Sequence, residues 1–293
     1  LRSKGFIHKI LPAKGWTRFL LLRPSSDFQS PLQFNYQVAE INSETKYDFI
    51  IDPKKTRNKT RPVFLDGQDA RIQFELEIAL RHMRHETKEQ LFWLRPLCVN
   101  EKNSVERDWH YRCMFDIVQH ANRVRAFMGK PHKRADPENI AKVLQAMHDL
   151  VGETSERQPP KIKTKENLLV YYGPLAPLLS QPDADAGLTQ AIELICSSMW
   201  KENWSFLQKA GVMKEIDCYV GSTSIPIDHF YMLTDFLCRA KRLHCWPEWR
   251  PPVGAQQILP AACRISDSRK QVLRLLKTWS SRIVKDGPLP ERL

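Results

Sequence analysis

Between residues 93 and 107 (WLRPLCVNEKNSVER) the chain brings together a thiol, an amide and two carboxylates, on Cys98, Asn100, Glu101 and Glu106, with His110 one helical turn beyond Glu106. These are the side-chain types that serve as nucleophile, general acid and general base. Cys98 becomes a nucleophile only with a base at hand, and a free cysteine in such a setting is more often a small buried hydrophobe. An acid in the first turn of a helix starting near Ser104, as Glu106 is, gains about 0.3–1 kcal/mol from the helix macrodipole without any catalytic role. The cluster follows a short apolar run at 91–94 (LFWL) that reads as a buried strand. In open α/β sheets ligands bind outside the carboxyl ends of strands, so this strand-to-helix junction is the place for a site.

The elements that must hold that junction are legible as changes of period. Short apolar runs at 18–23 (RFLLLR), 47–51 (YDFII) and 61–65 (RPVFL) read as strands, and Asp66-Gly67 as a turn. Over 70–84, Ile72, Leu76, Ala79, Leu80 and Met83 recur at helical spacing. A second helix is predicted over 104–121 with Val105, Trp109, Met114, Ile117 and Ala121 inward, followed by a strand at 122–128 (NRVRAFM) closing on Gly129. Strands alternating with helices between 45 and 130 predict a βαβ arrangement and a mostly parallel sheet. A third helix is punctuated by Asp136 as cap, Pro137 as first residue, Ile140, Val143, Leu144, Met147 and Leu150 as buried stripe, and Gly152 as stop. Residues 153–167 and 180–185 are polar and proline-bearing and read as linker or insertion. Helices are predicted beyond them at 188–200, 228–243 and 268–285, with a strand at 216–220.

Composition bounds the classes. The 293 residues are 42% hydrophobic and 27% charged, enough for a substantial core, which excludes a wholly disordered, collagenous or coiled-coil chain. No run approaches the roughly 20 apolar residues of a membrane span. Seven scattered cysteines without a Cys-x-x-Cys suit a reducing compartment. Neither Cys238 with His244 and Cys245 nor His82 with His85 supplies a zinc ligand set, so no metal is expected. The first acid is Asp27, behind six Lys and Arg residues, an acid-poor start of the kind seen in transit peptides; Leu1 and Leu293 read as cut points in a longer chain. The net charge of +12 collects in loops at 54–61, 161–165 and 239–242 that lack interleaved aromatics, so nucleic acid is not the expected partner. Phosphate-loop, Rossmann, hydrolase-elbow and zincin signatures are absent.

The central cluster resembles the fungal heterokaryon-incompatibility (HET) domain family. That family's helix ending Ala-Leu-x-x-Leu-Arg is matched by Leu76, Ala79, Leu80, Met83 and Arg84. Its Leu-Trp-Ile-Asp-Ala-Ile-Cys-Ile-Asn-Gln block is matched by Phe92, Trp93, Leu97, Cys98, Val99 and Asn100, and its Glu-Arg helix by Glu106, Arg107, Met114 and Ile117. A later Trp-rich block resembles Trp200, Trp204, Gln208 and, after a strand, Gly221. Of the opening Tyr-x-Ala-Leu-Ser-Tyr-x-Trp-Gly only Tyr47 and strand character survive. Arg95 stands where the family carries its acid, Glu101 and His110 where it carries glutamines, and Lys209 where it carries glutamate.

The resemblance implies one domain over 18–285, with an α/β core at 18–152, a linker at 153–187 and a helical part at 188–285. It also implies a TIR-like, mostly parallel sheet. For function it implies non-self recognition and programmed cell death signalling in a fungal cytoplasm, through other proteins or self-association, with a degenerate active site and no cofactor. The alternative it carries is a TIR-like enzyme that hydrolyses NAD or a nucleotide with Glu101 or Glu106 as its carboxylate. A third class, a basic nucleic-acid-binding module, predicts steeply salt-dependent retention on DNA or RNA.

Overall fold

A computed structural model describes residues 8–42, 44–53, 59–129, 136–152 and 214–230, with positions 187, 190, 191, 194, 210, 232 and 233 besides. Nine strands form one sheet: β1 (Trp16–Leu22), β2 (Gln33–Glu40), β3 (Asp48–Ile51), β4 (Thr60–Leu65), β5 (Gln68–Gln73), β6 (Gln90–Trp93), β7 (Arg123–Gly129), β8 (Ile216–Val220) and β9 (Thr223–Pro226). Their order across it is β5-β4-β2-β1-β6-β3-β7-β8-β9. Interleaved with them are the helices α1 (Phe74–Met83), α2 (Arg95–Cys98), α3 (Ser104–Arg112), α4 (Met114–His120) and α5 (Pro137–Gly152).

The sheet is mixed, which corrects the expectation of a mostly parallel one. The contiguous block β6-β3-β7-β8 is parallel throughout. β2 also lies parallel to β4, while antiparallel pairing joins β1 to β2, β1 to β6, β4 to β5 and β8 to β9 and includes the two longest registers, β1–β2 and β4–β5. The reason lies in the connections. β6, β7 and β8 each come after a helix and run parallel to their neighbours within that block, whereas β4–β5 and β8–β9 are joined by two-residue turns that permit only antiparallel return. In the first of these turns Asp66 and Gly67 both take positive φ, 49° and 74°, the mirror-image turn geometry that suits strand twist.

Two helix boundaries also differ from expectation. Ala70 and Ile72 belong to β5, opposite Val63 and Arg61 of β4, and α1 begins only at Phe74. The turn zips those residues into a hairpin, and their spacing of two fits a strand as well as a helix. The helix expected over 104–121 is broken at Cys113 (φ −88°, ψ 7°) into α3 and α4. Ile117 and Ala121 are buried as expected, but Val105 is 77% exposed, and the buried residue of α3 is His110.

The core of the parallel block is apolar on both sides, as a covered sheet requires: all four residues of β3 are buried, and Phe92, Trp93, Val124, Ala126, Cys218 and Val220 join them. Largely covered cations bind the strands laterally. Arg125 of β7 meets Asp48 of β3 at 2.5 Å and lies over the rings of Phe92 and Tyr219. On α1, Arg81 and Arg84 reach the carbonyls of Phe28 and Ser30, which fastens the β1–β2 connection.

The chain divides into two compact units, Leu1–Pro137 with Met213–Ile227, and Glu138–Val212 with Asp228–Leu293. In the second unit α5 buries Ile140, Val143, Leu144 and Met147 as expected; the side chain of Leu150 lies outside the described ones. The linker expected at 153–187 and the helix at 268–285 lie outside the described residues, save Gly187. Gln190, Ala191 and Leu194 are helical, and so are residues 228–230, with Phe230 and Leu233 buried. Among the described residues no helix is long and apolar enough to cross a membrane.

Candidate functional site

The site begins where two parallel strands end side by side. β3 runs into Asp52 and β6 into Arg95, and because the two strands are parallel neighbours these residues meet at their shared carboxyl end, Arg95 Nη2 to Asp52 Oδ2 at 3.5 Å. Arg95 also approaches Glu101 at 3.8 Å, donates to the Tyr111 hydroxyl at 2.8 Å and lies over the Tyr111 ring. Burial pushes the Asp52 carboxyl above its ordinary range, against the opposing pull of Arg95. Sequence reasoning assigned Asp52 no role; its signal was an acid placed directly after a buried strand, the counterpart of Arg95.

The expected strand-to-Cys98 junction is shorter than predicted. β6 stops at Trp93, and residues 95–98 make the single turn α2, with Cys98 N–H donating to the Leu94 carbonyl at 3.0 Å. Cys98 is fully buried and its thiol is pushed up to about 12 by that burial, so it is a packing residue and not a nucleophile.

Glu106 is held from a direction the sequence did not announce. Antiparallel pairing of β1 with β6 sets Leu20 opposite Phe92, so two residues earlier Arg18 stands beside the carboxyl end of β6. Its guanidinium grips Glu106 through two hydrogen bonds, 2.5 and 3.1 Å, and its other donors satisfy the carbonyls of Lys9 and Cys98 at 2.6 and 2.9 Å. The Asn100 amide donates to Glu106 Oε1 at 2.8 Å, while Asn103 caps α3 by accepting from the Glu106 amide at 3.2 Å. Burial opposes ionisation of Glu106, but Arg18 and the Asn100 amide outweigh it and hold the carboxyl below its usual range. A carboxylate with both oxygens engaged and a depressed pKa is a poor proton donor at neutral pH and a weak base.

Behind it lies a buried chain of hydrogen bonds. His110 Nδ1 is 2.9 Å from the Glu106 carbonyl, which only accepts, so Nδ1 carries the hydrogen. Burial lowers the His110 pKa and keeps the ring neutral, which leaves Nε2 to accept from the Thr17 hydroxyl at 3.0 Å. Thr17 in turn accepts from Trp93 Nε1 at 3.0 Å, and Trp93 stacks on Phe49 with ring centroids 5.1 Å apart. Trp93, Thr17, His110 and Glu106 thus form one satisfied network between β1, β6 and α3.

A family model described as Heterokaryon incompatibility protein (HET) matches residues 41–206, more than half of the chain. The chain belongs to that family. No curated protein and no solved structure matches it. Trp93, Cys98, Asn100 and Glu106 lie within the matched segment and in the framework just described, whereas Arg107 pairs with its exposed neighbour Asp108. Thr17 and Arg18, which complete this framework, precede the match. Gly221 follows it; with φ at 60° it donates to the Gly129 carbonyl at 3.1 Å at the ends of β7 and β8. Trp200, Gln208 and Lys209 lie outside the described residues, as do Cys238, His244 and Cys245. His82 Nδ1 sits 2.9 Å from the Ser222 hydroxyl and His85 Nδ1 accepts two backbone amides, so the two rings serve different partners.

Proposed function

We propose that this HET-family protein works in non-self recognition and programmed cell death signalling, in the cytoplasm, by binding other proteins rather than by catalysis. The observation that carries the reading is the fate of the carboxylates. Glu106 is clamped by Arg18, and the position where the family carries its acid holds Arg95, which spans Asp52 and Glu101. The parallel block β6-β3-β7-β8 supports a TIR-like ancestry for the core. The test is NAD turnover by purified protein at concentrations that allow assembly, with Glu101→Gln and Glu106→Gln alongside and a folding check on each. No turnover is expected; turnover abolished by either substitution overturns the reading.

A second reading is a TIR-like enzyme that hydrolyses NAD or a nucleotide. One observation favours it: Asp52, raised by burial, and Glu101 flank Arg95 at the carboxyl end of two parallel strands, where a ligand's hydroxyls would lie. It predicts that Asp52→Asn removes whatever turnover exists.

A further inference from the structure

The outer side of the Arg18–Glu106 pair faces a groove of about 290 Å³ lined by Ile10, Leu11, Lys14, Val105 and Trp109 among others. Two of its apolar residues are presented to solvent: Ile10 is 91% exposed and Val105 77%. Val105 occupies a position on α3 that a core helix would turn inward, yet here the inward place is taken by His110 and the valine is left outside. A groove of this size falls just below the range of ligand pockets, about 300–1,000 Å³, which suits one or two side chains of a partner and not a dinucleotide.

Among the charged residues that line the groove, Lys14 is the one outside the Arg18–Glu106 pair. At its floor Arg18 and Glu106 neutralise each other. The exposed Lys14 is part of the lining, and Lys102, also exposed, precedes the lining residue Asn103 in the chain. We infer that this groove docks a bulky apolar side chain from an acidic segment of a partner protein, with Val105, Ile10 and Trp109 taking the anchor and Lys14 and Lys102 taking the flanking carboxylates. The inference rests on the reading of the protein as an interaction domain and names where and what it binds.

The test titrates isotope-labelled full chain with a synthetic peptide in which Phe-Leu is flanked by Asp and Glu. One control replaces the two apolar residues by serine and another replaces the acids by lysine. Resonances of Ile10, Ala13, Val105 and the Trp109 indole shift with the first peptide only. Val105→Asp, a change at an exposed position that leaves the thermal midpoint in place, weakens binding by about tenfold or more, the loss usual at an interface anchor. Lys14→Glu with Lys102→Glu weakens it further at low salt than at high salt. The inference is overturned by equal binding of either control, by shifts elsewhere, or by no shift at millimolar peptide. It is also overturned if dilution of the protein alone moves the same resonances, which assigns the groove to a second copy. NAD turnover is read separately: turnover sinks the non-catalytic reading and leaves the peptide result standing, while loss of peptide binding without turnover sinks only the groove.

Discussion

Arg18 of β1 holds Glu106 of α3 in a two-pronged ion pair across 88 residues of sequence, with side chains only 2% and 11% exposed. The pair ties the first strand to α3, and its guanidinium satisfies two carbonyls as well. That makes it a structural clamp, and its loss is felt in folding before it is felt in any activity.

Arg18→Met leaves Glu106 buried without its guanidinium, and Glu106→Leu leaves the guanidinium without its carboxylate. Each is expected to lower stability by about 3–5 kcal/mol in urea unfolding. The double variant loses clearly less than the two losses added together, because neither orphaned charge remains. Strict additivity would show that the two groups do not act as a pair.

Stability depends on pH through the buried histidines. The folded pKa of His110 is lowered by burial, so below the ordinary value of about 6.5 the unfolded chain takes up a proton that the folded chain refuses. The contribution is full above that value and lost as pH falls toward the folded one. His8, lowered to about 4 by burial and by Arg18, and His229, lowered by burial, act with the same sign. Glu106, whose carboxyl is depressed, adds a further loss as pH falls from the ordinary carboxylate value toward its own lower one. Urea midpoints compared at about pH 7.5 and about pH 5.5 therefore drop on acidification, and His110→Gln makes the drop shallower. An unchanged slope in that variant would mean His110 is not the neutral bridge described.

Cys98 is expected to resist alkylation in the native protein at about pH 8, where an ordinary thiol is partly ionised, since its own thiol is raised to about 12 and lies inside the core. Mass spectrometry after a timed pulse of iodoacetamide should find Cys98 modified only once urea has unfolded the chain. Rapid native labelling would place the thiol in reach of solvent and revive it as a nucleophile.

Gly67 sits at φ 74° with nothing within 4 Å of where a Cβ would stand. Gly67→Ala therefore strains the backbone alone and is expected to lower stability by about 1 kcal/mol, read from the thermal midpoint. A neutral result would show that the β4–β5 turn relaxes to another geometry.

The groove beside Glu106 carries its own expected outcome, loss of acidic-peptide binding in Val105→Asp, and it separates from the clamp because Val105 is exposed where Arg18 and Glu106 are not.

Residues whose neighbours in sequence are also their neighbours in space were legible in advance. The strands at 18–23, 47–51, 61–65, 91–94, 122–128 and 216–220, the turn at Asp66-Gly67 and the stripe of α5 all follow from local period and local backbone preference, and each lies within a residue or two of its expected place. The spacing from Trp93 through Glu106 to Gly129 likewise marked the HET family without any fold in hand. What the chain's order alone left open is whatever joins distant segments. Strand direction depended on connection length and on which strands became neighbours, so the mixed sheet emerged only with β1 inserted between β2 and β6. The partnership of Arg18 with Glu106, of Thr17 with His110 and of Asp52 with Arg95 has the same origin. A charge in sequence reads as solvated until the sheet places its counterpart beside it, and burial then decides whether it acts as a clamp, a neutral bridge or an exposed rim.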